Sequence, residues 1–321
     1  MGETFAHSPC GGGMFGDPNV IRSTDRLLDA NSREHETRIE TPKGPITNRW
    51  RRDPDVATTW TLKHYIESDE DLERFLSIPY EFQPPDMGEI RRLENRMGES
   101  GVLLFGIGDA LGHVAPLFEF QDFIMRFMED PEPIHDLLAR AARMLEDIVD
   151  YVDGKVKDAV FRLWGPEYAG PPLMNPAKSF EPLVLRYDAP LVQKIKNSGN
   201  IAVIHCHGKL KELLDPMLDM GADVLEPLEL LPVSTADVTL VELKEKLGGR
   251  MALMGGMQAM DLDNGTPELV RERVRSLLSD GMPGGGFTLI PTSTPLNLPL
   301  PEAIVDNYRA AFETVEKYGW V

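Results

Sequence analysis

The chain has 321 residues, 42% hydrophobic and 26% charged, a balance that suits a globular protein with a sizeable core. Its 52 acidic against 33 basic residues give a net charge of −19, which repels phosphate backbones and argues against a nucleic-acid partner. No run approaches the roughly 20 apolar residues of a membrane-spanning helix, and the length leaves two ordinary domains or one large α/β barrel.

Met1–His7 has neither a basic region nor an apolar run of the kind that leads secretion. The two cysteines, Cys10 and Cys206, cannot build a disulfide framework. Both observations predict a cytoplasmic chain. The glycine-rich stretch Cys10–Gly16 follows no strand and opens no helix, so it reads as a loop and not as a phosphate cradle. Residues 1–35 carry little periodic signal and are expected to be an irregular N-terminal segment. Residues 36–321 are expected to form a single domain. At its start, Pro42 and Gly44 on either side of Lys43 predict a β-hairpin within 36–63. Helices are expected at about 68–77 and 86–98.

From residue 101 strands and helices alternate. Gly101–Gly108 reads as a strand before a long helical region that includes Pro133–Leu145. Ala159–Trp164 is the next strand and Ser179–Lys196 a helix. Ile201–Gly208 is an apolar strand ending in His205, Cys206 and His207, followed by a helix at Lys209–Leu218. Asp223–Glu229 is a short strand, Leu240–Leu247 a helix, and Met251–Gly256 a strand. Thr266–Leu278 is a helix capped by Thr266 with Pro267 at its first position. Phe287–Ile290 and Pro301–Tyr318 close the chain. Strands that are almost continuously apolar imply a parallel sheet covered on both faces. The spacing predicts a TIM (β/α)8 barrel whose first strands are missing or irregular.

Active sites of such barrels lie at the C-terminal ends of the strands. Side chains alternate along a strand, so His205 and His207 share a face and Cys206 takes the other, packed and inert. Two imidazoles roughly 7 Å apart along one face can converge on a divalent ion such as zinc. The alternative is two histidines hydrogen-bonded in a polar mouth. Glu226, at the end of the next strand, is the expected third ligand, with Glu229 its substitute and a salt bridge to a lysine or arginine its alternative. Glu167 and Tyr168 are candidates for general acid and substrate clamp. Asp109, His113, Trp164, Gln258 and Ser293, all near strand ends with Thr292 and Thr294, are candidates for substrate binding. Asp109 could instead cap a helix, and His113 could be a satisfied histidine.

With these motifs in place, the chain resembles the uroporphyrinogen decarboxylase superfamily, which includes zinc methyltransferases acting with coenzyme M and corrinoid proteins. The resemblance covers roughly 36–320. It rests on Glu40–Pro45, on His205-Cys-His-Gly-Lys209 and on Gly221–Pro227, as well as on Leu253–Gln258, Asn307–Arg309 and Tyr318-Gly319. The methyltransferase branch carries a His-x-Cys zinc pair at this strand and a further cysteine in the loop after the last strand. Here the pair is His205 and His207, and Pro291–Pro295 has no cysteine. The decarboxylase branch carries an N-terminal Arg-Gln-Ala-Gly-Arg motif that this chain lacks. The resemblance therefore implies a metal-dependent methyltransferase moving a methyl group from a small, methoxylated substrate to a corrinoid protein or thiol. Decarboxylation of a porphyrinogen and non-catalytic metal or corrinoid binding are its alternatives. A homodimer is compatible with the superfamily.

Overall fold

The computed structural model describes residues 5–7, 21–27, 32–54, 56, 58–99, 101–156, 158–295 and 299–319. Cys10–Gly16 lies outside the described residues.

The chain opens with a short strand β1 (Phe5–His7), followed by four strands of a separate antiparallel sheet: β2 (Ile21–Leu27), β3 (Arg33–Thr41), β4 (Gly44–Arg52) and β5 (Trp60–Lys63). The β3–β4 hairpin turns at Pro42-Lys43, where Gly44 takes the left-handed φ of 117° that a side chain would resist. Among residues 1–35 the described ones therefore hold more order than their pattern suggests. Strands β1, β2 and the start of β3 lie in them, because backbone pairing needs no hydrophobic periodicity when partner strands supply the register.

Helices α1 (Asp69–Leu76) and α2 (Met87–Met97) lead to β6 (Leu103–Gly106). Then come α3 (Ala110–Val114), α4 (Phe120–Glu129), α5 (Glu132–Val152) and β7 (Val160–Trp164). They are followed by α6 (Pro176–Phe180), α7 (Arg186–Asn197), β8 (Ile201–His205), α8 (Leu214–Met220) and β9 (Val224–Glu226). The chain ends with α9 (Leu240–Leu247), β10 (Ala252–Met257), α10 (Ala259–Asn264), α11 (Pro267–Gly281), β11 (Phe287–Pro291) and α12 (Glu302–Tyr318). The order β1-β6-β7-β8-β9-β10-β11 makes one parallel sheet whose neighbours follow the chain. Its edges β1 and β11 do not pair with each other among the described residues. The fold is an irregular, open TIM-type barrel, whose first strand, β1, comes from the N-terminal segment.

Local chemistry explains where elements differ from their periodic signal. The helix expected from Lys209 starts at Leu214, because Asp237 takes the backbone N–H groups of Leu210 and Lys211 at 2.9 and 3.1 Å. The region 179–196 breaks into α6, a wide turn at 181–185 and α7, since Pro182 has no N–H for a regular ladder. Strand β9 stops at Glu226 because Pro227 offers no donor. Thr266 caps α11 as expected, accepting from Leu269 N at 3.3 Å.

The main core lies between the sheet and its helices, with Phe105 and Phe161 of β6 and β7 stacked at 5.2 Å. A second cluster under α10, α11 and α12 holds Met257, Leu262, Val270, Val274, Leu278 and Ala310. Among the described residues no helix is long and apolar enough to cross a membrane. Phe161→Ala is expected to lower stability by about 3–5 kcal/mol, read as a lower denaturant midpoint at unchanged slope.

Candidate active site

Three neighbouring parallel strands set the centre of the site. The registers Trp164↔His205 and His205↔Glu226 place the C-terminal ends of β7, β8 and β9 side by side. Arg162 lies two residues before Trp164, so the two share a face of β7. Its guanidinium reaches His205 and Glu226, donating through Nη2 to His205 Nδ1 at 2.6 Å and through Nε to Glu226 Oε1. Glu226 Oε1 also lies 3.2 Å from His205 Nδ1.

That nitrogen cannot accept from one neighbour and donate to the other. A guanidinium only donates, so His205 Nδ1 holds its lone pair toward Arg162 and the ring proton sits on Nε2. A neutral ring agrees with burial, which lowers the His205 pKa. Burial pushes Glu226 up, but the imidazole of His205 beside it and the charge of Arg162 outweigh burial and hold its carboxyl below the usual range. The side chain of Glu226 is 4% exposed, that of His205 12% and that of Arg162 30%. The ion pair therefore starts in the interior and ends at the mouth.

His207 lies just past β8, its ring 4.7 Å from that of His205 and nearly perpendicular to it. It pairs with Glu229, the Nδ1 of His207 lying 3.2 Å from Oε1, while Gly208 N donates to Oε2 at 3.0 Å. The hydrogen bond to Glu229 raises the His207 pKa, and the same bond lowers that of Glu229. The His207 side chain is 38% exposed, and its Nε2 makes no hydrogen bond among the described residues. The mouth thus presents one accessible imidazole backed by a carboxylate. Cys206 faces away, is fully buried, and has its thiol pushed well up by burial.

A divalent metal held by His205, His207 and Glu226, the set that the resemblance implies, does not fit this arrangement. Among the described residues no group of three or more His, Cys, Asp or Glu side chains is placed to hold an ion. The chemistry of the donors gives the reason. The lone pair of His205 Nδ1 and Oε1 of Glu226 both face the fixed cation of Arg162. Glu226 adopts the second of its two readings, the salt bridge.

The remaining candidates fall in several places. Glu167 stands in the turn after β7 and accepts from Gly165 N at 3.1 Å. Beside it Tyr168 packs on Phe120 with ring centroids 5.7 Å apart, and burial followed by the charge of Glu167 raises its phenol pKa. Trp164 packs against His113 at 5.6 Å.

The other four do not face the histidines. Asp109 is fully buried and caps α3, accepting from Gly112 N at 2.5 Å, which is the cap reading of this residue. His113 donates from Nε2 to Ile107 O at 2.7 Å, with its pKa lowered by burial, as a satisfied histidine behind Trp164. Gln258 opens onto a separate cleft of about 290 Å³ with Leu230, Asp261 and Arg273. Ser293 is exposed and bonds only its neighbour Thr294.

Two residues escape the sequence reading. Arg162 had a signal, as the one charge in the apolar run Ala159–Trp164. Asp188 had none. It sits on α7, buried beside Asp109 and the start of α3. Burial raises both carboxyls, Asp109 further through the charge of Asp188, and Asp188 is pushed up to about 7.

The uroporphyrinogen decarboxylase (URO-D) family model matches residues 62–318. Among solved structures, a methyltransferase from Methanosarcina mazei has a similar fold, with TM-score 0.60 and 15% identity over 83% of this chain and 74% of that one. No curated protein matches the chain.

The buried carboxyls make stability depend on pH. An unfolded aspartate releases its proton near pH 4, whereas Asp188 in the folded chain keeps it to about 7. Between these values the folded state binds more protons, so stability falls as pH rises. Asp188→Asn is expected to reduce that fall, seen as denaturant midpoints at pH 4.5 and 8 that lie closer together than in the unaltered protein. Equal falls in both proteins would contradict the assignment.

Proposed function

The chain belongs to the uroporphyrinogen decarboxylase (URO-D) family, and from that premise we propose that it is a methyltransferase-like enzyme acting on a small, uncharged O-methylated substrate. The acceptor is a thiolate or the reduced cobalt of a corrinoid protein. The observation that carries the reading is the His207–Glu229 dyad, whose free Nε2 stands at the mouth next to Arg162. The fold shared with the Methanosarcina methyltransferase is compatible with it.

The chemistry needs a proton at the leaving oxygen. As the nucleophile forms its bond to the methyl carbon, the O–CH3 bond breaks and its electron pair stays on oxygen. His207, protonated and oriented by Glu229, gives that oxygen its Nε2 proton and ends as the neutral ring. Arg162 adds positive charge near the same place. Tyr168 and Trp164 supply aromatic faces for the methoxylated group, and Glu167 stands beside His207 as the second carboxylate that favours its charged form.

Charge argues against a decarboxylase for a carboxylate-rich ring. Glu167, Glu226 and Glu229 gather around the mouth, while the guanidinium of Arg162 is already neutralised by Glu226. Several substrate carboxylates would meet net repulsion there.

The test supplies O-methyl donors with a thiol or a reduced corrinoid protein and follows demethylated product. Turnover is expected with the unaltered protein, and His207→Gln is expected to lower kcat by about 10²–10⁴-fold, the usual worth of a positioned general acid. Release of CO2 from a porphyrinogen, with no donor demethylated, would replace this reading by the decarboxylase one.

A further inference from the structure

A cleft of about 500 Å³ opens at the N-terminal ends of β10 and β11, the end of the sheet opposite the mouth. That volume is in the range of small-molecule sites. Lys244 of α9 and Arg250 line the cleft, and among the described residues no aspartate or glutamate does. In a chain of net charge −19 this is a local reversal of sign. Each cation is anchored to backbone: Lys244 Nζ donates to Gly285 O, and Arg250 Nη2 donates to Lys246 O at 2.7 Å. Neither forms an ion pair among the described residues, so the remaining N–H groups of both heads are left for a ligand.

The rest of the wall is largely glycine. Gly249 and Gly284–Gly286 line the cleft with φ between +68° and +78°, the left-handed region that favours glycine. A Cβ at any of the four would meet nothing within 4 Å, so no neighbouring group fills the space in front of this backbone. The N–H groups of Gly249, Gly284 and Gly286 have no acceptor among the described residues. Bare backbone of this kind can be approached closely by an anion. We infer that the cleft binds a phosphate monoester, its phosphoryl oxygens shared between Lys244, Arg250 and the glycine N–H groups. A phosphoryl group brings three acceptor oxygens and a charge of about −1.5 to −2, enough to engage both cations and backbone donors together. A carboxylate brings two oxygens and one charge. The cleft is larger than a phosphoryl group, which leaves room for the organic part of the ester. None of these residues belongs to the mouth, so phosphate binding here stands apart from the reaction performed there.

The experiment uses the whole chain and equilibrium dialysis at low salt against phenyl phosphate, inorganic phosphate and benzoate. One phenyl phosphate per chain is expected, held more tightly than either of the other two. Lys244→Gln with Arg250→Gln is expected to weaken that binding by about tenfold or more, the worth of a charge-assisted hydrogen bond. Arg91→Gln with Arg92→Gln removes the same charge from α2, outside the cleft, and is expected to leave the affinity unchanged. Absence of phenyl phosphate binding at millimolar concentration would overturn the inference, as would an unchanged affinity in the cleft variant. Equal weakening by both pairs of substitutions would assign the effect to overall charge and overturn it as well. Benzoate or inorganic phosphate bound as tightly as the ester would rule out a phosphate monoester as the ligand. Folding of each variant is checked by far-ultraviolet circular dichroism. If the cleft variant does not fold, Arg250→Gln, at an exposed position, is read in its place by the same criteria.

Discussion

A buried ion pair between two β-strands organises the mouth of this barrel. Glu226 ends β9 in an interior position, and a lone carboxylate there would be strongly disfavoured; losing the partner of a buried pair costs about 3–5 kcal/mol. Arg162 meets it from β7, across β8, and takes in His205 of β8 on the way. The pair therefore fixes three strand ends together. It also fixes the tautomer of His205 and so decides which ring nitrogens are available for chemistry. His205 becomes a structural member of the network, and His207, one residue beyond Cys206, is left as the imidazole that faces solvent.

The wall of the mouth is held by a second buried device. Asp109 ties the start of α3 to the turn after β7, through its cap on Gly112 and its own N–H on Trp164 O at 2.9 Å. Gly165 and Gly112 let this approach happen, because a side chain on either would collide with the neighbouring backbone or with the carboxyl itself. The cap holds α3 against the end of β7, next to the turn that carries Glu167 and Tyr168. Asp188 lies buried behind it, next to Asp109. Carboxyls placed there hold their protons to higher pH, because their charged forms lack solvation. Charge near the opening is treated differently: Glu229 accepts from both His207 and Gly208 and stays ionised.

Much of the architecture was legible from periodicity. The apolar strands at 160–164, 201–205, 252–257 and 287–291 and the helices at 240–247, 267–281 and 302–318 lie within a few residues of their sequence signals. Signals failed where a distant group or a missing donor intervened. Asp237 shortens α8 from a loop more than twenty residues away, and Pro182 divides the helix at 179–196. The N-terminal strands lacked a signal of their own because their order comes from partner strands. The site was legible in part. Alternation placed His205 and His207 together and turned Cys206 away, but ligand-like residue types could not reveal that an arginine had already taken two of the donors.

By itself, then, the sequence determined the alternation of buried strands and helices, the barrel type, and the strand end at which polar chemistry gathers. Each of these follows from the spacing of apolar residues along the chain. Only the tertiary structure decided what those polar residues do. Whether Glu226 holds a metal or an arginine, which nitrogen of His205 carries the proton, and whether Asp109 meets substrate or lies sealed beside Asp188 all depend on side chains from different strands and helices. Proton positions and donor availability are set by the nearest neighbour in space, and nearest neighbours across a parallel sheet are dozens of residues apart in the chain.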